Sequence, residues 1–110
     1  MRLHVYCPGT QGAREMREHV ERRLAFALGR FGDEIDTVHV RLRDMNGPRG
    51  GVDKQVSLRV RGRRLPSMFV TESHESLLAA IDRGADRLGH AIGRALERDR
   101  DESRGIRRAS

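Results

Sequence analysis

Lysine is almost missing from this 110-residue chain: of its 22 basic residues, 21 are Arg and one is Lys54. Aromatic residues are equally scarce, at 4%, with no Trp and one Tyr. A single cysteine, Cys7, excludes an internal disulfide framework. No Cys/His cluster has the spacing of a structural zinc site, and pairing Cys7 with His4 as metal ligands is rejected. Long apolar runs are absent too. The longest are of the order of Leu77–Ile81, far short of the ~20 residues a spanning helix needs. Met1-Arg2-Leu3-His4 opens without the apolar core of a signal peptide, which leads us to expect a cytoplasmic protein. The length suits one domain.

What the chain does have is charge, unevenly spread. Charged residues make up 35% and the net charge is +6. Residues 41–70 hold the whole excess: Arg41, Arg43, Arg49, Lys54, Arg59, Arg61, Arg63 and Arg64 face only Asp44 and Asp53. A localised basic excess is the footprint of an anionic partner, and a guanidinium forks onto phosphate and stacks on bases.

The apolar residues are patterned. Leu3, Val5 and Cys7 alternate with polar neighbours, which predicts a short strand ended by Pro8-Gly9. Ala13, Met16, Val20, Leu24, Ala27, Leu28 and Phe31 define a helical stripe, started by Thr10 or Gly12 and closed by Gly32. Phe26 falls off that stripe and is expected to pack beneath a loop. Val38, Val40 and Leu42, then Val56, Leu58 and Val60, alternate with His39, Arg41, Arg43, Ser57, Arg59 and Arg61. These are two half-buried strands with a basic outer face, joined by the turn-rich loop Asn46–Gly51. A fourth strand is predicted over Leu65–Thr71, its register open because Met68-Phe69-Val70 is apolar on both faces. Ser73 or Ser76 caps a second long helix, to about Arg98.

The order β-α-β-β-β-α implies an α+β domain over residues 1–98. We expect a four-stranded mixed sheet, the first two strands parallel through a right-handed crossover, with both helices packed on one face. Residues 99–110 lack apolar periodicity and are expected to form a disordered tail. The free sheet face then displays Arg41, Arg43, Arg59 and Arg61 beside Arg2, His4, Tyr6 and His39.

On the second helix, Leu77, Leu78, Ile81, Ala85, Leu88, Ile92 and Leu96 fall on one side, and Arg83, Arg87, His90, Arg94 and Arg98 on the other. A solvated helix surface is one reading of that basic stripe; a ridge tracking phosphates is the other. With only Tyr6 placed on the sheet face, sequence-specific reading of a single strand is not expected, and folded RNA bound through phosphates and 2′-hydroxyls is. His39, His74 and His90 form no legible nucleophile–base pair, so we expect no enzyme, catalytic residue, cofactor, metal or small-molecule substrate. Gly47-Pro48-Arg49-Gly50-Gly51 lacks the Gly-Lys-Ser/Thr ending of a P-loop and reads as a hairpin loop.

Leu78-Ala79-Ala80-Ile81-Asp82 followed by Ala85-Asp86-Arg87-Leu88 resembles the second-helix signature of the ribosome hibernation-promoting factors, also called ribosome-associated inhibitor A or sigma-54 modulation proteins. The segment Asp44–Lys54 is similar to a loop of a short branch of that family. The resemblance covers about residues 1–98. It implies a fold akin to double-stranded-RNA-binding domains and a translation inhibitor of resting cells under stress. Such a protein binds the rRNA of the small ribosomal subunit, in the decoding channel between head and body, and blocks the mRNA and tRNA sites. Basic family positions on the second helix match Arg87, Arg94 and Arg98; His90 stands where many members carry Arg or Lys, and Leu96 replaces another often basic position. The strand arginines and Arg83 come from the residue pattern alone. Long family members have a further C-terminal domain that pairs two ribosomes, and this chain is expected to lack it. A structured-RNA-binding module not tied to the ribosome, or a basic face for an acidic protein, is the alternative.

Overall fold

A computed structural model describes residues 1–8, 12–44 and 54–109. The Asn46–Gly51 loop and Thr10 lie outside these residues. Strand β1 (Arg2–Tyr6) leads to helix α1 (Ala13–Leu28), a 3-10 segment (Gly29–Glu34), strands β2 (Ile35–Asp44), β3 (Lys54–Gly62) and β4 (Leu65–His74), and helix α2 (Leu77–Ala109). The sheet order is β1-β2-β3-β4, with β1 parallel to β2 and the other pairs antiparallel. This is the expected α+β fold, a four-stranded mixed sheet with both helices on one face.

Strand alternation explains the layering. Val38, Val40 and Leu42 of β2 and Val56, Leu58 and Val60 of β3 point to one side, where they meet Val20, Leu24 and Leu28 of α1 and Ile81, Leu88 and Ile92 of α2. All are essentially without solvent contact. Pairing of Met68 with Val60 and Val70 with Leu58 settles the register of β4: Met68 and Val70 face the helices, Phe69 the other side. Pro66 lies in β4, an edge strand, where a missing N–H leaves no central ladder bond unmade. At Gly84 a Cβ would stand 2.6 Å from Leu58 Cδ1, so the absence of a side chain there lets α2 lie close on the sheet.

Several local expectations need correction. Phe26 is 81% exposed on α1 rather than packed beneath a loop, with the Arg23 guanidinium 5.5 Å from its ring centroid. Leu78, at 42% exposure, does not belong to the buried stripe, and Ala80 and Ala95 do. Helix α1 stops at Leu28, and the 3-10 segment carries Phe31 onto the core. Gly12, in the left-handed region at φ 80°, precedes α1 with no side-chain cap; at α2, Ser76 Oγ accepts the Ala79 N–H at 3.4 Å. The expected break at Asp99 is absent, because α2 continues to Ala109. No proline interrupts this stretch, and the lack of an apolar stripe does not by itself end a helix.

Between β3 and β4 the chain turns through Arg64, at φ 56° the one non-glycine with positive φ among the described residues. Its guanidinium pairs with Glu34, which through the hydrogen bond and then the charge raises the Arg64 pKa above its ordinary value. The Arg63 N–H donates to the Glu34 carbonyl at 3.0 Å, tying the turn to the start of β2.

Candidate nucleic-acid interface

Among the described residues nothing covers the face of the sheet opposite the helices, and strand register decides what it shows. Four rows run across it. Arg2, Thr37 and Arg61 form one; His4, His39, Arg59 and Phe69 the next; Tyr6, Arg41, Ser57 and Thr71 a third; Arg43, Gln55 and Ser73 the fourth. Twist makes this surface a shallow trough of about 800 Å³.

No arginine of β2 stands directly opposite an arginine of β3. Arg41 faces Ser57, Arg43 faces Gln55, Arg59 faces His39 and Arg61 faces Thr37. Like charges directly opposite would destabilise the pair, whereas diagonal neighbours lie ~7–8 Å apart. The register therefore gathers positive charge without setting two arginines directly opposite across β2 and β3. Among the described residues, none of these four arginines pairs with a carboxylate.

Aromatic rings are interleaved with the charge. The Arg41 guanidinium lies 5.0 Å from the Tyr6 ring centroid, and that of Arg59 lies 5.6 Å from Phe69. Both are within cation–π range. His4 and His39 stack with centroids 4.7 Å apart and planes 12° from parallel. Tyr6 is 54% exposed and Phe69 60%. Phe69 is the functional candidate missed on the sequence: its apolar neighbours Met68 and Val70 hide the alternation, and only the pairing of Phe69 with Arg59 reveals its face.

The second predicted group, Arg83, Arg87, His90, Arg94 and Arg98, is exposed along α2 as expected. Its basic character has a cause across the helix pair. Asp82 and Asp86 turn toward α1, where His19 Nε2 lies 2.8 Å from Asp82 Oδ1 and Arg23 reaches Asp86 at 2.9 Å. Asp82 and Asp86 are thus spent on α1, and the other flank of α2 keeps its arginines.

Arg87 differs from its neighbours. It donates to Glu72 Oε1 at 2.6 Å and to the Thr71 carbonyl at 3.1 Å, clamping α2 to the edge strand β4. The ridge and the sheet arginines sit on opposite sides of the sheet layer, so they form two surfaces rather than one patch.

Among the described residues no group of three or more His, Cys, Asp or Glu could hold a metal ion. Among these residues, too, no helix is long and apolar enough to cross a membrane.

The family model described as Sigma 54 modulation protein / S30EA ribosomal protein matches residues 4–100. Two solved structures superpose on most of the chain. A ribosomal subunit interface protein from Coxiella burnetii gives a TM-score of 0.68 at 16% identity, covering 88% of this chain and 99% of its own. The Protein Y N-terminal domain from Thermus thermophilus gives 0.65 at 25% identity, covering 86% and 98%. No curated protein sequence gives a significant match.

Proposed function

Because this chain belongs to the Sigma 54 modulation protein / S30EA ribosomal protein family, we propose that it is a ribosome-associated translation inhibitor that acts by occupying RNA, with no chemistry of its own. Its target is the rRNA of the small subunit in the decoding channel, where an inserted domain keeps mRNA and tRNA out and preserves the idle ribosome in the cytoplasm.

The observation that carries this reading is the open sheet face, where Arg41, Arg43, Arg59 and Arg61 have no carboxylate partner among the described residues. Unpaired guanidiniums on a rigid sheet are set to replace counterions along phosphates. The exposed Arg83, His90, Arg94 and Arg98 of α2 give a second contact on the far side of the layer. A domain seated in a channel is touched on both sides, which suits two basic surfaces back to back.

The test is co-sedimentation with purified small subunits, with cell-free translation in parallel. Arg41→Glu/Arg59→Glu and Arg83→Glu/Arg94→Glu should each weaken binding and relieve inhibition. Arg14→Glu/Arg17→Glu is the control, because both side chains are exposed on α1, away from either surface. Equal losses from all three pairs would reduce the interaction to bulk charge. Arg87 is a poor choice for charge reversal, since a glutamate there would face Glu72 and loosen the helix clamp.

A further inference from the structure

We propose that the open sheet face is a stacking platform for unpaired RNA bases, with Tyr6 and Phe69 as its two anchor rings. The inference rests on the RNA-binding reading above and deepens it, from phosphate contact on folded RNA to the holding of extruded, single-stranded nucleotides.

Two rings on one sheet face are what a base-stacking surface requires, and Phe69 supplies the second. Neither ring serves the hydrophobic core. Each is more than half exposed, and neither belongs to the core or to the residues packed against it. An exposed ring left in water gains nothing from burial, yet both stand beside an arginine that has no carboxylate partner among the described residues. A guanidinium and an aromatic ring each offer a planar face to a base, and the same guanidinium reaches the adjoining phosphate.

Spacing sets the length of the ligand. Tyr6 lies on β1 and Phe69 on β4, three strand intervals or roughly 14 Å apart across the sheet. They would hold bases several nucleotides apart along one strand, with the arginines between them over the intervening phosphates. An A-form duplex buries its base faces and cannot use either ring. An acidic protein would use the charge and leave the rings idle.

The chain carries its own probe. It has one tyrosine and no tryptophan, so its tyrosine emission reports Tyr6 alone. The full chain is titrated with an unstructured RNA decamer, a duplex of the same strand length, an abasic decamer of equal charge and an acidic polypeptide. The base-bearing single strand should bind most tightly and quench the tyrosine. Tyr6→Leu and Phe69→Leu should each weaken that binding about 5- to 100-fold, with little change toward the abasic strand. Both positions are exposed, and an unchanged melting temperature shows that the fold survives.

Equal affinity for the abasic and base-bearing strands, or tighter binding of duplex or polypeptide, overturns the platform. Small-subunit co-sedimentation of the unaltered chain separates the two readings. Retention there with no preference for bases leaves ribosome binding intact and removes the platform. Base-dependent quenching without co-sedimentation does the reverse.

Discussion

A Cβ on Gly62 would stand 2.0 Å from the carbonyl oxygen of Glu34, a backbone atom that cannot swing aside. Gly62→Ala should therefore push the β3–β4 turn off the start of β2 and cost upwards of about 2 kcal/mol. Gly29 gives the contrast. Its backbone is already helical and nothing lies within 4 Å of an added Cβ, so Gly29→Ala should stabilise by about 0.4–1 kcal/mol. Urea midpoints of the two variants, moving in opposite directions, would check both. A chain read only as letters shows two glycines near turns and cannot rank them. The difference lies in a contact between residues 28 positions apart in one case and in open solvent in the other.

At the level of elements, apolar periodicity carried most of the architecture. The stripes of α1 and α2 and the alternation in β2 and β3 found the buried face because those segments pack on one side only. It failed where that condition lapsed. In β4 the run Met68-Phe69-Val70 puts an aromatic on the face that the arginines occupy, so hydrophobicity no longer marks the inside. The end of α2 is illegible for the converse reason, since the helix continues beyond Leu96, where the apolar spacing that marks it stops. Removing residues 101–110 should lower the helical circular-dichroism signal yet move the melting temperature by less than ~5 °C. The deletion keeps Asp99 and its 3.9 Å ion pair with Arg64, and it removes nothing of the apolar stripe, which ends at Leu96. Leu88→Ala, by contrast, empties a site with no solvent contact and should cost about 2–5 kcal/mol, whereas Leu78→Ala on the same helix should cost well under 1 kcal/mol. Chemical denaturation of the pair would confirm which flank of α2 is inside.

For the molecule as a whole, charge bookkeeping on the sequence located one basic surface, and helical spacing the other, but their relation needed three dimensions. Strands β2 and β3 and helix α2 are separate in the chain, and only the layering sets the two surfaces on opposite sides. The distinct role of Arg87 was equally out of reach, because its partner Glu72 sits on a strand whose register the sequence leaves open. If both surfaces meet phosphate, the logarithm of the small-subunit binding constant should fall steeply with the logarithm of salt concentration. Each arginine removed from either surface should flatten that slope by roughly 0.7–0.9 units. Filter binding of the Arg41→Ala and Arg94→Ala proteins across a salt series would measure it.

The register that keeps the arginines of β2 and β3 from standing directly opposite one another also bears on how the free domain behaves. Diagonal placement lessens the mutual repulsion of Arg41, Arg43, Arg59 and Arg61 without removing it, and the uncovered face leaves that repulsion to the solvent to screen. Salt should then have opposite signs in two equilibria, loosening the complex while steadying the folded chain against unfolding. A polyanion that binds only the folded form should raise the melting temperature further, by mass action. The isolated domain would thus be least stable in dilute buffer, and most at ease when its surface is already answered by negative charge.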